Sequence, residues 1–208
     1  MIVLGIDPGT AALGYGIVDS TGGRLTAIDH GVLVTSPDAS LPERLNAIYA
    51  GVDALLVKHS PTVLAVERLF FSRNVQTAFA VGQARGVVLL AAAQHDVPVL
   101  EATPNEVKSA IAGYGAADKE QVQRMVQVVL NMPERLRSDD EADALAIAVW
   151  AANTAGSGRA DLSPVMDRAA VAPIRRGRSG YERAVHEALA RERAGAAPRR
   201  DRAKSSGA

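Results

Sequence analysis

A mixed α/β sheet, antiparallel in its first half and parallel in its second, is the fold class this sequence predicts. Three observations carry that expectation. Three apolar runs follow one another within residues 2–34 with short connections, the pattern of an antiparallel meander. Two further short apolar runs, at 62–67 and 97–100, are each reached through a helix-periodic segment. A strand reached by a helical crossover lies parallel to its neighbour. Residues 103–154 then read as helices alone, so the order is βββ-α-β-α-β-α-α-α, with five strands.

Ile2–Ile6 and Gly14–Val18 read as strands joined by a Pro8-Gly9 turn. Arg24–Val34 is the third, entered through Gly22-Gly23. From Leu41 to His59, apolar residues at Leu41, Leu45, Ile48, Val52, Leu55 and Leu56 recur at helical spacing, and Pro61 stands where that helix should stop. Thr62–Glu67 is short and β-branched and ends in an acid. Asn74–His95 is the next helix, apolar on most sides in its second half and therefore expected to be deeply buried. Gly82 and Gly86 share one face of it. Each glycine weakens a helix by about 1 kcal/mol against Ala, so a close helix–helix approach is expected there, within the core or across a dimer interface. Val97–Leu100 is a short strand that Pro98 assigns to a sheet edge. Thr103, Pro104 and Glu106 form an N-cap, a first-turn proline and a capping-box acid. Asp118 caps the following helix, and Ser138 or Asp139 caps the last, which runs to about Thr154.

The chain has 208 residues, 48% of them apolar, and no cysteine. That is enough for one core-bearing domain with a tail, and it excludes disulfides and thiolate metal sites. The longest apolar stretch, residues 87–93, is far short of the roughly 20 residues of a membrane span. No basic segment precedes the opening apolar run, and Asp7 ends it, so a secretory signal is not expected. A cytoplasmic protein without a membrane partner is the expectation. Charge is unevenly spread. Residues 1–153 hold 11 Lys or Arg against 17 Asp or Glu, a net of −6, and residues 154–208 hold 12 against 6, a net of +6. The expected division is a folded domain over 1–155 and a basic, largely disordered tail over 156–208, with a possible short helix near 181–193. A basic tail suits a polyanionic partner or serves as a solubilising extension.

Most of the acids read as caps, turns and solvated faces. Asp7 and Glu67 do not, because each ends an apolar strand. Ligands of open α/β sheets bind at the carboxyl ends of strands. Asp140 and Asp143 stand three apart at a helix start and share a face. Gathered together, such like charges repel unless a cation lies between them. An oxygen-only ligand set calls for a hard cation, Mg²⁺ or Mn²⁺. Two such ions about 4 Å apart activate water and stabilise the leaving oxygen of a phosphodiester. The Asp7-Pro8-Gly9-Thr10 turn by itself suits an actin-like phosphotransferase equally well, but no second glycine-rich phosphate loop or second domain follows. The four histidines, His30, His59, His95 and His186, lie at turns, helix ends or in the tail and read as surface residues.

Four segments in order, GIDPGTAALGYGIVD around Asp7, AVERLFFSRN around Glu67, GQARG at 82–86 and DDEADALAIA at 139–148, resemble the RuvC family of Holliday-junction resolvases over residues 1 to about 154. The resemblance implies an RNase H-like fold and a homodimer that cuts four-way DNA junctions by paired symmetric nicks in recombination and repair, leaving 5′-phosphate and 3′-hydroxyl ends. It carries the catalytic, metal-holding acids onto Asp7, Glu67, Asp140 and Asp143, with two ions per site. Lys108 and Lys119 match lysines that contact phosphate near the cut, and Lys119 is placed to stabilise charge in the transition state. Phe70 and Phe71, with Arg73 and Asn74, follow Glu67. One phenylalanine is expected in the core and the other against bases of an opened junction, Phe70 being favoured. RuvA and RuvB, branch-migration proteins, are the implied partners. A junction-binding relative without activity is the alternative, and the intact acids oppose it.

Overall fold

The computed structural model describes residues 1–68, 75–133, 136–158 and 162. Its elements are β1 (Ile2–Asp7), β2 (Ala12–Thr21), β3 (Arg24–Val34), α1 (Leu41–His59), β4 (Val63–Glu67), α2 (Val75–Gln94), β5 (Val99–Ala102), α3 (Pro104–Ala112), α4 (Lys119–Val129) and α5 (Asp139–Gly156). They form one five-stranded sheet in the order β3-β2-β1-β4-β5. β1 pairs antiparallel with β2 and parallel with β4, β2 pairs antiparallel with β3, and β4 pairs parallel with β5. The expected switch from antiparallel to parallel therefore falls between β1 and β4.

Strand alternation divides the core into two layers. Val3, Val18, Val63 and Ala65 face α3, α4 and α5, and Leu162 packs onto this layer from beyond the last helix. Leu4, Ile6, Ile17, Leu64 and Val66 face α1 and α2. The helix boundaries follow their caps. α1 opens on a Ser40/Glu43 capping box with Pro42 in its first turn, and it ends at Ser60 in the left-handed region, one residue before Pro61. β5 starts two residues later than the apolar run suggests. Val97 N–H closes the end of α2 on the Ala92 carbonyl at 2.9 Å, and the Pro98 carbonyl accepts Leu64 N–H at 2.9 Å.

α5 lies directly on β1 and β2. A Cβ at Gly5 would meet the Ala144 carbonyl oxygen at 2.2 Å, one at Gly14 the Asp140 carbonyl oxygen at 2.0 Å, and one at Gly16 the Leu145 Cα at 2.9 Å. Gly5 is paired with Gly16 across the two strands, so the glycines form a furrow. Ala144, Ala148 and Leu145 of α5 fill it.

α2 departs from the sequence expectation. Ala84, Val88, Ala91 and Ala92 are buried, but Phe79 is 68% and Leu90 52% exposed. Among the described residues nothing lies within 4 Å of a Cβ at Gly86, so none of them supplies the close approach expected there, and α2 keeps one face open to them. The histidines differ too. His30, His59 and His95 each bond an acid, respectively Glu141 at 2.5 Å, Asp29 at 2.8 Å and Asp53 at 2.7 Å. His59 is only 11% exposed. They are local ties between elements, and His186 lies outside the described residues.

Candidate active site

β1 and β4 are parallel neighbours, in register from Val3 opposite Val63 to Ile6 opposite Val66. Asp7 and Glu67, the next residue of each strand, therefore leave the sheet side by side. Asp7 also pairs with Gly14, the position on which the Asp140 backbone rests. The furrow thus delivers the first turn of α5 to the strand ends, and Asp143 follows one turn along. Ser138 caps this helix by accepting Glu141 N–H at 3.2 Å, which decides between the two cap candidates.

The acids sense one another. Burial is the largest influence on Asp7, and Asp143, Glu67 and Asp140 add to it in that order. Its carboxyl is pushed up to about 7 against the opposing pull of Lys119. Glu67 is raised by burial and by Asp143, with Lys108 opposing. Asp143 is raised by burial although Lys119 counters it. Lys119, at the first position of α4 after the Asp118 cap, holds Asp143 at 3.3 Å and Asp139 at 3.0 Å. Lys108, on α3 behind the Thr103 capping box, joins Glu67, Lys119 and Asp143 in lining a groove of about 230 Å³.

Among the described residues no three acids stand at ion-binding spacing; Lys119 is in contact with Asp143 of the cluster. The donor set still fits a hard divalent cation. It offers only carboxylate oxygens, and Asp7 ionises fully at neutral pH only when positive charge offsets its neighbours. Asp140 and Asp143 are both brought to Asp7. Phe70, Phe71, Arg73 and Asn74 lie outside the described residues.

The two other acids of the turn do different work. Asp139 is 64% exposed and is tied to Lys119 and to Gln123 at 2.7 Å. Glu141 is 6% exposed and points away from the cluster. It bonds His30 at 2.5 Å and accepts Arg137 N–H at 2.8 Å and Ser138 N–H at 3.4 Å. Burial pushes Glu141 up, but the His30 bond and those backbone donors hold it below the usual carboxylate range. The capping-box spacing from Ser138 to Glu141 is the sequence signal for half of this; His30, on β3, is supplied by the fold. Glu141→Ala leaves three polar groups without their partner, and a loss of about 2–4 kcal/mol is expected. Urea unfolding measures it, and a loss below about 0.5 kcal/mol would show that the pair is not holding α5.

A sheet of this order, with acids at the ends of β1 and β4 and at the start of the helix crossing them, defines an RNase H-like nuclease. The model of the family described as crossover junction endodeoxyribonuclease RuvC matches residues 3–151. The chain belongs to that family of metal-dependent nucleases. It is similar to the crossover junction endodeoxyribonuclease RuvC of Moorella thermoacetica, 53% identical over 155 residues, which cover 74% of this chain and 93% of the relative. The Desulfitobacterium hafniense protein of the same description is 51% identical over 154 residues, with the same coverage. Among solved structures, T. thermophilus RuvC in complex with Holliday junction substrate is 42% identical, covers 79% of this chain and 99% of that one, and superposes with a TM-score of 0.74. The yeast mitochondrial Holliday junction resolvase Ydc2, 16% identical with a TM-score of 0.53, shares the fold.

Proposed function

We propose that this protein resolves four-way DNA junctions as a homodimer, by paired symmetric nicks that leave 5′-phosphate and 3′-hydroxyl ends. The observation that carries the reading is the gathering of Asp7, Glu67, Asp140 and Asp143 where β1 and β4 end, with Asp7 pushed up to about 7 by burial first and by the other three acids second. These four acids are the proposed holders of Mg²⁺ or Mn²⁺, two ions per site. When bound, the ions supply an activated water and charge on the leaving oxygen. The remaining chemistry belongs to the chain. Lys108 and Lys119 line the groove beside Glu67 and Asp143 and take phosphate oxygens of the cut strand. Lys119 exchanges its carboxylate partners for that phosphate as negative charge develops. Phe70, Phe71, Arg73 and Asn74 are proposed DNA contacts, Phe70 stacking on an unpaired base.

The open face of α2, with Phe79 and Leu90 exposed and Gly86 unobstructed, supports a second copy packing there. A twofold pair places two sites on opposite strands of a twofold junction. No described helix is long and apolar enough to cross a membrane, and a cytoplasmic location with RuvA and RuvB as partners is part of the proposal. So is the division into a nuclease domain over 1–155 and a basic tail over 156–208.

The deciding experiment incubates a labelled four-way junction with the protein and Mg²⁺ or Mn²⁺. Symmetric nicks in strands of like polarity are expected. Their absence with both metals would sink the reading.

A further inference from the structure

Arg44 is a cation at the active-site edge for which the site as described has no use. It stands in the first turn of α1, on the sheet face opposite the helices that carry Lys108 and Lys119. Its Nε donates to Thr35 Oγ1 at 2.8 Å. Thr35 is a buried polar residue, 8% exposed. Its hydroxyl donates to the Thr10 carbonyl at 2.6 Å, and its backbone N–H donates to the Ala11 carbonyl at 3.0 Å. Thr10 and Ala11 belong to the turn that follows Asp7. The guanidinium is therefore two hydrogen bonds from the segment that positions Asp7.

Among the described residues no carboxylate forms an ion pair with Arg44. Glu43, beside it in the chain, is engaged with Ser40, accepting from its N–H and its hydroxyl at 2.7 Å each. Arg68 and Arg85 share Glu101, and Lys119 holds Asp139 and Asp143. Arg44 is thus a half-buried cation, fixed through one nitrogen, whose Nη groups have no acid among the described residues to neutralise them. Planar guanidinium forks of this kind bind phosphate in preference to a point contact.

We propose that Arg44 is a further DNA-backbone contact: its Nη groups take a phosphate on the α1 side of Asp7, and the Thr35–Thr10 link sets the distance from that phosphate to the acid. With Lys108 and Lys119 on the other face, the backbone is gripped on both sides of the Asp7–Glu67 edge. The inference rests on the junction-nuclease reading.

The test uses full-length protein and a fluorescent four-way junction, bound without divalent metal over a range of KCl and cut with Mg²⁺. Arg44→Ala should weaken binding about ten-fold and reduce the slope of log K against log salt by about one. Arg44→Lys should restore the slope with only part of the affinity, and it serves as the informative variant should the alanine protein fail to fold. Thr35→Val should leave the slope unchanged while slowing cutting more than binding. An unchanged affinity and slope in Arg44→Ala, or the same slope loss in Thr35→Val, would overturn the proposal. Failure of the wild type to nick the junction would instead remove the nuclease reading and leave the binding results standing.

Discussion

Asp7→Asn is expected to abolish junction cutting, by on the order of a thousand-fold or more, while leaving junction binding intact. It should also make the metal-free protein more stable at pH 8. The physical reason is that the Asp7 carboxyl is pushed from 3.8 to about 7, first by its burial and then by the neighbouring Asp143, Glu67 and Asp140. A group raised on folding stabilises the native state fully below its unfolded value. That contribution is lost as pH rises through its folded value. The metal-free wild type should therefore lose stability between about pH 4 and 7, by up to roughly 4 kcal/mol for a shift of this size. Asn carries no charge and escapes that loss. Thermal unfolding with a chelator should show the variant several degrees above wild type at pH 8, with the gap closing at pH 5. Added Mg²⁺ should raise the wild type more than the variant, because the ion binds only the folded site. A variant that binds junction poorly, or unfolds earlier than wild type at pH 8 without metal, would mean that Asp7 serves the fold instead.

Gly14→Ala is expected to reduce both stability and cutting, although residue 14 touches no substrate. Its Cβ would stand 2.0 Å from the Asp140 carbonyl oxygen and 3.1 Å from the Asp140 Cβ. Backbone cannot yield there as a side chain would, so the first turn of α5 must lift. Asp140 rides on that turn, and Asp143 follows it one turn along. A displacement of about 1 Å between catalytic groups costs on the order of 100-fold in rate, and overpacking of this kind costs about 1–3 kcal/mol. Gly5→Ala meets the Ala144 carbonyl at 2.2 Å and the Ala148 nitrogen at 2.6 Å, farther along α5 from the acids. It should lower stability at least as much and disturb cutting less per unit of stability lost. Single-turnover rates beside urea midpoints separate the two. Equal ratios of rate loss to stability loss would refute the positional account of Gly14.

The elements were legible because each carries its own period and punctuation. The capping box at Thr103, Pro61 after α1, and the strand runs ending in Asp7 and Glu67 are all local patterns. The acids were legible for a related reason: a carboxylate closing an apolar run has few structural uses. What fills the furrow at Gly14 and Gly16, α5, is visible only in the fold. His30 was read only as a surface residue because its partner, Glu141, is 111 positions away. α2 was judged too buried because its second half is apolar on most sides, whereas the described residues cover only part of it and leave Leu90 exposed.

The sequence by itself determined the order of elements, the switch from antiparallel to parallel pairing and the acids that close β1 and β4, since those follow from side-chain period, turn chemistry and the cost of burying charge. Tertiary structure alone decided which acid joins the cluster and which turns away. Asp140, Glu141 and Asp143 are alike in chemistry and adjacent in the chain. What separates them is the direction each takes from α5 once the helix is seated in the glycine furrow, and that direction depends on contacts made more than a hundred residues away.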